Sequence, residues 1–208
     1  MEPPSSLALA TPQGGRPLTA RQSRIRGGKL GRGGPLVIVA LALLVTGCAS
    51  RKPAADRDGP PEQIPSGLMQ RPDAEPRIEA IRTGGPNKPY EAVGRRYEPV
   101  LADVAMAESG LASWYGRKYH GRPTSSGEPY DMFAMTAAHK TMPIPSYACV
   151  RNPANGREVI VRINDRGPFA DGRVIDLSYT AALKLGVLNG VTPVEVRRIT
   201  QAEIRAGQ

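Results

Sequence analysis

From residue 110 onward, short apolar runs alternate with breaks rich in glycine, proline and asparagine. Runs of this length and spacing are typical of strands in a small β barrel. Between two of them, residues 152–156 (NPANG) form the predicted turn of a β-hairpin. A helix is predicted at 178–185, with Ser178 as its N-cap and Gly186 at its end. The predicted strands span residues 111–115, 132–138 (partly extended), 147–151, 158–163, 173–177 and 194–199. The pattern therefore predicts a mostly β fold, a compact barrel of roughly 90 residues with one or two short helices.

The N-terminal part of the chain has a different pattern. An unbroken apolar run, residues 36–45, follows a segment with six basic residues and one acidic residue. The run is too short for a transmembrane helix, which needs about 20 apolar residues, but it suits the hydrophobic region of a secretory signal. The next residues, 45–48 (VTGC), resemble the lipoprotein box of bacteria. We therefore predict a signal peptide over residues 1–47 and lipid attachment at Cys48. The alternative is a buried helix with an incidental cysteine.

Lipid attachment would hold the protein on a bacterial membrane, facing the periplasm. Ala49 follows the cysteine where Asp would favour the inner membrane, and this indicates the outer membrane. Residues 48–109 contain nine prolines mixed with charges and few large apolar residues. Such a composition buries too little apolar surface to offset chain entropy, so this segment is predicted to be a disordered linker. The folded domain would then occupy residues 110–200, followed by a tail at 201–208.

Composition and charge exclude several classes of function. The 208 residues include 28 Lys and Arg against 19 Asp and Glu, a net charge of +9. Much of this excess lies in the predicted signal, and the other basic residues are scattered rather than clustered with aromatics, so no nucleic acid is predicted as a partner. Glycine (23) and proline (21) argue against an all-helical protein. With two histidines and two cysteines that form no cluster, no metal or other cofactor is predicted.

Several short motifs follow one another in the predicted domain. They are GLASWYG (110–116), HG (120–121), TSSGE (124–128), TAAHK (136–140), RINDRGPF (162–169) and IDLS (175–178). Together they resemble the rare lipoprotein A (RlpA) family of septal peptidoglycan lytic transglycosylases, over roughly residues 110–199. The resemblance implies a six-stranded double-psi β barrel, a fold shared with plant expansins. Many members carry a C-terminal SPOR module that binds septal glycan. This chain ends nine residues after Ile199, so targeting by that module is not expected.

The resemblance also implies an activity and the residues for it. The expected enzyme is a monomer that acts on peptidoglycan glycan strands, between N-acetylmuramic acid and N-acetylglucosamine, with a preference for glycan lacking stem peptides. In such a reaction the C6 hydroxyl of muramic acid attacks C1 and leaves a 1,6-anhydro end, and no water is consumed. Glu128, His139 and Asp165 fall at the catalytic positions of the family.

The chemistry of these residue types agrees with that assignment. Cleavage needs one group that protonates the leaving oxygen and a base for the attacking hydroxyl, and carboxyl groups serve both roles in glycan cleavage. We assign Asp165 as the acid/base and Glu128 as the group that stabilises the transition state. The reverse assignment remains open, as do a turn role for Asp165 and a solvated loop role for Glu128. His139 would orient a catalytic carboxylate, or would be a buried histidine with satisfied hydrogen bonds.

Other side chains are candidates for holding the substrate. Trp114 and Tyr115 would stack on sugar faces, although Trp114 is equally suited to the core. Ser126 lies in the loop that carries Glu128 and is assigned to substrate binding. Arg166 would meet acidic groups of the glycan, or would be solvated. Asp176 has two interpretations, the polar floor of the groove or a cap for the helix that follows, and we favour the cap.

Two rival functions are compatible with the same sequence. The first is a lipoprotein that binds peptidoglycan without cleaving it, as expansin-like barrels loosen polysaccharide. The second is a cysteine peptidase or amidase that uses Cys149 with His139 as its base. Cys149 lies in a predicted strand between Ala148 and Val150, and this placement favours a small core residue.

We predict that membrane attachment depends on Cys48. In the variant Cys48→Ala the precursor should remain unprocessed or mislocalised, because no other segment of the sequence is suited to hold a bilayer. Fractionation of cells into membrane and soluble pools, with immunoblotting for precursor size, measures this. Normal processing and membrane recovery of Cys48→Ala would contradict the lipid anchor.

Overall fold

A computed structural model of the chain describes residues 58–207. The predicted signal peptide and Cys48 lie outside the described residues. No helix between residues 58 and 207 is long and apolar enough to cross a bilayer. The strands are β1 (Tyr90–Ala92), β2 (Arg95–Tyr97), β3 (Ala107–Trp114), β4 (Thr136–His139), β5 (Ser146–Arg151), β6 (Glu158–Asp165), β7 (Arg173–Leu177) and β8 (Thr192–Ile199). The α-helices are α1 (Tyr179–Leu185) and α2 (Gln201–Arg205), and short 3-10 helices span Leu68–Gln70 and Gly85–Asn87.

Six strands close into a barrel in the order β3-β7-β4-β6-β5-β8. The pairs β3–β7 and β4–β6 are parallel, and the other neighbours are antiparallel. Closure pairs the backbone of every barrel strand on both sides, so the barrel has no open edge. The six-stranded barrel implied by the family resemblance is confirmed, and so is the hairpin, which is formed by β5 and β6.

The barrel closes around apolar side chains that alternate along each strand. On β6, Val159, Val161 and Ile163 are almost completely buried, while Arg162 between them points outward. Burial of each such aliphatic side chain contributes about 1.5–3 kcal/mol before the cost in chain entropy. Helix α1 closes one side of this core with its buried residue Leu185. The inward residues of this strand therefore alternate with outward ones, as expected for one wall of a barrel.

Several element boundaries differ from the predictions, most of them by one or two residues, and three differences are larger. Strand β3 begins at Ala107 rather than at residue 111, because its first half pairs with β8. Strand β4 covers only Thr136–His139, since Asp131 accepts a hydrogen bond from the Phe133 backbone and forms a turn before it. The predicted tail contains α2, whose first turn has a capping box.

Residues 58–106, which we call the arm, lie against the barrel instead of forming the predicted disordered linker. Ala74 N donates to Ile160 O over 3.0 Å, and Val100 N donates to Thr141 O over 2.8 Å. The carboxylate of Asp58 accepts from Gly116 N at distances of 2.9 and 3.1 Å. These polar contacts hold the arm in place. The prediction of a disordered linker considered only how little apolar surface the segment can bury.

Asn87 is the most deeply buried polar residue of the arm, with 1% of its surface exposed. Its Nδ2 donates to Arg82 O (2.8 Å) and to Ile144 O (2.7 Å). Its Oδ1 accepts from Ile144 N (2.9 Å) and from the Arg166 guanidinium (2.6 Å). The pair of bonds with Ile144 imitates the pairing of two strands, so this amide joins the arm to the barrel.

We predict that Asn87→Ala destabilises the protein by roughly 2–3 kcal/mol, because it leaves buried backbone groups of Ile144 without partners. Urea unfolding at pH 7 measures the free energy, and limited proteolysis reports release of the arm. Asn189→Ala, at an exposed position, is the matched control and should change little. Equal stability of the two variants would show that the arm is not held through this amide.

Candidate active site

A cavity of about 230 Å³ opens beside the end of β6. Asp165 and Asp176 provide its two carboxyl groups, and Tyr115, Tyr119, Arg166 and Phe169 contribute to its walls. Strand β6 ends at Asp165, and a sharp turn follows in which Gly167 has a φ of 136° that favours glycine. Strand β7 brings in Asp176 from the other side, since both strands pair with β4. The barrel topology therefore places two carboxyl groups from different strands at one cavity.

Asp165 is held by the loop that precedes β4. Its Oδ1 accepts from the Ser125 backbone N–H (2.8 Å) and from Ser125 Oγ (2.6 Å). The Arg166 backbone N–H also donates to this oxygen, over 2.8 Å. The bond from Arg166 is the turn contact that we considered as the alternative role. Because Asp165 also lines the cavity, the turn fixes a carboxyl group that faces the cavity.

Asp176 lies deeper in the same cavity. Burial raises the pKa of Asp176, although the hydrogen bond from Ser113 Oγ and the charges of Arg173 and Lys140 oppose this shift. The neighbouring charge of Asp165 raises the pKa further. Ser178 caps the helix that follows, because its Oγ accepts from Ala181 N. Asp176 therefore belongs to the floor of the groove, and the favoured prediction that it caps the helix is wrong.

Glu128 does not line this cavity but is paired with an arginine. Arg162 donates to both of its carboxylate oxygens, over 3.0 and 2.8 Å, and Asn164 Nδ2 lies 3.3 Å away. Burial alone would raise the pKa of Glu128, but these hydrogen bonds outweigh it and the pKa is lowered. A carboxyl group that stays ionised in this way is a poor proton donor.

A residue of the arm completes this ion pair. Glu79 accepts two hydrogen bonds of 2.7 Å from Arg162, on the side of the guanidinium opposite Glu128. Tyr147 also donates to Glu79, over 2.7 Å. The sequence analysis missed Glu79 because it lies in the predicted linker. The available signal in the sequence was a positive charge, Arg162, between the apolar residues of a predicted strand, where it needs an acidic partner.

Comparisons with known proteins concern the family of the barrel domain. A family model described as "Lytic transglycolase" matches residues 107–196. A Vibrio cholerae protein named "Endolytic peptidoglycan transglycosylase RlpA" is 48% identical over 164 residues, which make up 77% of this chain and 61% of that protein. The barrel domain belongs to the RlpA family. A Pseudomonas aeruginosa protein of the same name is 54% identical over 112 residues, which cover 53% of this chain and 33% of that protein.

The similarity covers only part of the length of these relatives. This chain spans about 61% of the Vibrio cholerae RlpA and 55% of a Neisseria meningitidis RlpA that is 49% identical to it. A solved structure of a Clavibacter michiganensis expansin is 20% identical, covers 46% of this chain and 52% of that chain, and superimposes with a TM-score of 0.35. At that score the expansin match supports no argument.

Within the RlpA barrel, His139 is not brought to the carboxyl groups. Its Nδ1 accepts from Thr141 N (3.2 Å) and Met142 N (3.0 Å), and its Nε2 lies 3.5 Å from Glu108 Oε1. The side chain is 1% exposed. His139 is therefore buried, as in the alternative that we considered, but its Nε2 has no hydrogen-bond partner among the described residues, so its hydrogen bonds are not all satisfied. Its backbone oxygen accepts from Arg166, which lines the cavity.

Arg166 connects the arm to the barrel. Its Nε donates to Pro86 O (3.0 Å), and its NH1 group donates to His139 O (3.0 Å) and Met142 O (2.6 Å). Its NH2 group donates a further hydrogen bond to Asn87 Oδ1. Burial lowers the pKa of Arg166 to about 10, although the charge of Asp165 opposes the shift. Arg166, which was predicted to bind substrate, therefore lines the cavity but donates most of its N–H groups to other residues of the protein.

The other predicted substrate residues divide between core and cavity. Trp114 donates its indole N–H to Leu188 O (3.1 Å) and packs edge-on against Tyr179, so it belongs to the core. Tyr115 lines the cavity and stacks on Tyr130 with ring centroids 4.0 Å apart. Ser126 bonds to neighbours within its own loop, which gives it a role in loop shape.

Cys149 differs from the prediction of a core residue. It is half-buried on β5, where the flanking Ala148 and Val150 take the inward positions. Burial raises the pKa of the thiol, as does the charge of Glu158, whose Oε2 lies 3.9 Å from Sγ. A thiol with a raised pKa beside a carboxylate is a poor nucleophile, and His139 has other contacts. This geometry does not favour a cysteine peptidase.

We predict that the Glu79 pair stabilises the barrel mainly above acidic pH. The pKa of Glu79 is lowered from 4.5 by its hydrogen bonds with Arg162, so its contribution is complete above about pH 4.5 and is lost as the pH falls through the lowered value. Glu79→Gln should cost about 1–2 kcal/mol at pH 7 and flatten the decline of unfolding free energy on acidification. Urea unfolding from pH 7 to pH 3 measures both effects.

The control for this experiment is Glu75→Gln. Glu75 pairs with Arg77 in full solvent exposure, and such a pair contributes little. If the acid limbs of wild type and Glu79→Gln ran parallel, the contact between Glu79 and Arg162 would carry no stability.

Proposed function

We propose that this RlpA domain is an endolytic lytic transglycosylase that cleaves peptidoglycan glycan between N-acetylmuramic acid and N-acetylglucosamine. The observation that carries the proposal is the pair of carboxyl groups at one cavity, Asp165 and Asp176, in different environments. Two titratable groups whose surroundings differ in this way are the usual arrangement for an acid and a base. The names of the relatives support the same substrate class.

Each carboxyl group has a distinct role in the proposed reaction. Asp176, whose pKa is raised, donates a proton to the glycosidic oxygen as the bond from C1 to that oxygen breaks. Asp165 accepts the proton of the muramic acid C6 hydroxyl as O6 forms a bond to C1. One proton is given and one is taken, so the product is a 1,6-anhydro end and no water enters. The assignment retains Asp165 as an acid/base and replaces Glu128 with Asp176 as its partner.

Glu128 acts in this proposal as a positioning residue. Its ion pair with Arg162 anchors the loop that also contains Ser125, the residue whose two donors hold Asp165. Removal of its charge would loosen the loop rather than remove a proton-transfer group. Glu128 would then affect turnover through Asp165.

The setting of the enzyme is also part of the proposal. The substrate would be periplasmic glycan, with strands lacking stem peptides preferred, and the lipid on Cys48 would hold the enzyme on the outer membrane. The cavity has two tyrosines and a phenylalanine in its walls, and such aromatic rings suit the stacking of sugar rings. No metal enters the proposed steps, which proton transfer and electrostatic stabilisation complete.

We predict that Asp176→Asn and Asp165→Asn each reduce turnover by at least about 100-fold while the barrel stays folded, since each removes a proton-transfer group. Glu128→Gln should cost less, about tenfold, because it acts through the loop. Mass spectrometry of 1,6-anhydro ends released from purified peptide-free glycan measures turnover. In the wild type, kcat/KM should fall as the pH rises through the raised pKa of Asp176, because the acid loses its proton.

Asp171→Asn is the matched control, since this exposed carboxylate pairs with Arg95 and lies outside the cavity walls. An equal loss in Glu128→Gln and Asp165→Asn would restore Glu128 as a direct participant. If the wild-type protein bound the glycan but released no anhydro ends, the non-catalytic binding function would replace the enzyme.

A further inference from the structure

A second cavity, of about 490 Å³, lies between the arm and the barrel. Residues 85–92 of the arm form most of its wall, including Lys88, Tyr90 and Glu91. The barrel contributes Ser125, Arg166 and Phe169. The family model begins at residue 107, so most of this wall lies outside the part of the chain that it covers.

This arm cavity adjoins the cavity of the two carboxyl groups. Arg166 and Phe169 line both cavities. Ser125, in the wall of the arm cavity, donates two hydrogen bonds to Asp165 in the wall of the other. The two cavities are therefore adjacent, with Arg166 and Phe169 in both walls and the contact between Ser125 and Asp165 at their junction.

The walls of the arm cavity combine a flat apolar surface with polar groups at its margin. Tyr90 stacks on Tyr97 (5.3 Å between centroids) and meets Phe169 edge-on (6.0 Å). The Tyr90 hydroxyl donates to Lys140 O over 2.9 Å, which fixes the ring against the barrel. A pyranose ring has a complementary surface, because its C–H groups form an apolar face and its hydroxyls form a polar rim. Rigid aromatic rings with a few polar neighbours are typical of small-ligand sites.

The charges around the arm cavity favour a neutral unit. Lys88 and Glu91 have opposite signs. Arg166 directs four of its N–H groups to neutral oxygens of the protein, so it has little capacity left for an anion. In a strand that alternates muramic acid with N-acetylglucosamine, both neighbours of the cleaved muramic unit are the neutral sugar.

We propose that the arm cavity is a saccharide subsite, which holds the N-acetylhexosamine next to the muramic unit that is cleaved. This inference rests on the proposed function for its choice of glycan. The arm then takes part directly in substrate binding, and the RlpA barrel alone would have a shorter groove. Tyr90 provides the face on which the sugar stacks.

The test compares two changes of the same residue in the full-chain protein. Tyr90→Phe keeps the ring and loses only the hydroxyl bond to Lys140, whereas Tyr90→Leu keeps apolar volume and loses the flat face. The probe is purified peptide-free glycan of alternating N-acetylglucosamine and N-acetylmuramic acid, titrated by calorimetry. We expect Tyr90→Leu to weaken the Kd roughly tenfold, the scale of one aromatic anchor, and Tyr90→Phe to stay within about twofold of wild type.

Two further variants keep the test independent of folding. Glu91→Trp, at an exposed position on β1, fills the mouth of the cavity and should also weaken the Kd. Arg96→Ala, on β2 of the same hairpin and paired only with Glu98, should leave the Kd unchanged. Thermal unfolding shows whether each variant retains the fold. In turnover assays Tyr90→Leu should raise KM and change kcat by less than about twofold.

The outcomes separate the subsite from the enzyme. A wild type that binds glycan and is weakened by Tyr90→Leu and Glu91→Trp supports the subsite, even if it releases no anhydro ends and the enzyme proposal fails. A wild type that cleaves glycan while Tyr90→Leu and Glu91→Trp bind as tightly as Arg96→Ala overturns the subsite and leaves the enzyme standing. Equal losses in Tyr90→Phe and Tyr90→Leu would assign Tyr90 to the fold and also overturn the stacking role.

Discussion

The site depends on one buried guanidinium. Arg166 binds the arm through Pro86 and Asn87, binds the chain after β4 through backbone oxygens, and gives its own backbone N–H to Asp165. A buried positive charge is costly unless its donors are used, and here four oxygens of the protein meet them. The position of the arm, the turn at the end of β6 and the orientation of a cavity carboxyl group are therefore fixed together.

The three carboxyl groups near the site show how the environment divides chemical roles. Asp176 is buried and has a raised pKa, whereas Glu128 is paired with Arg162 and has a lowered one. Asp165 is held by three donors on one oxygen while it faces the cavity. In the sequence these are three acidic residues in loops and strands, and the packing around each one is the basis for the different roles that we propose for them.

The barrel was predictable from sequence because its signal is local. Alternating apolar residues along β5 and β6, and the cap at Ser178, depend on neighbours within a few positions. The arm was not predictable, because its contacts join residues that are far apart in the sequence, such as Glu79 with Arg162, which are 83 positions apart. Its prolines and charges are typical of a linker, and nothing local records that the barrel offers partners for them. The same long-range pairing explains why the groove role of Asp176 was only one of two interpretations of the sequence.

The bonds of Asp58 to the barrel have a geometric consequence for an enzyme held at Cys48. Asp58 is fixed against the barrel, and nine residues lie between it and Cys48 in the sequence. Even fully extended, the ten Cα–Cα steps from Cys48 to Asp58 span at most about 35 Å. With lipid on Cys48, the groove would stay within a short distance of the membrane surface. The glycan strands accessible to cleavage would then be those in the layer of peptidoglycan nearest to the membrane.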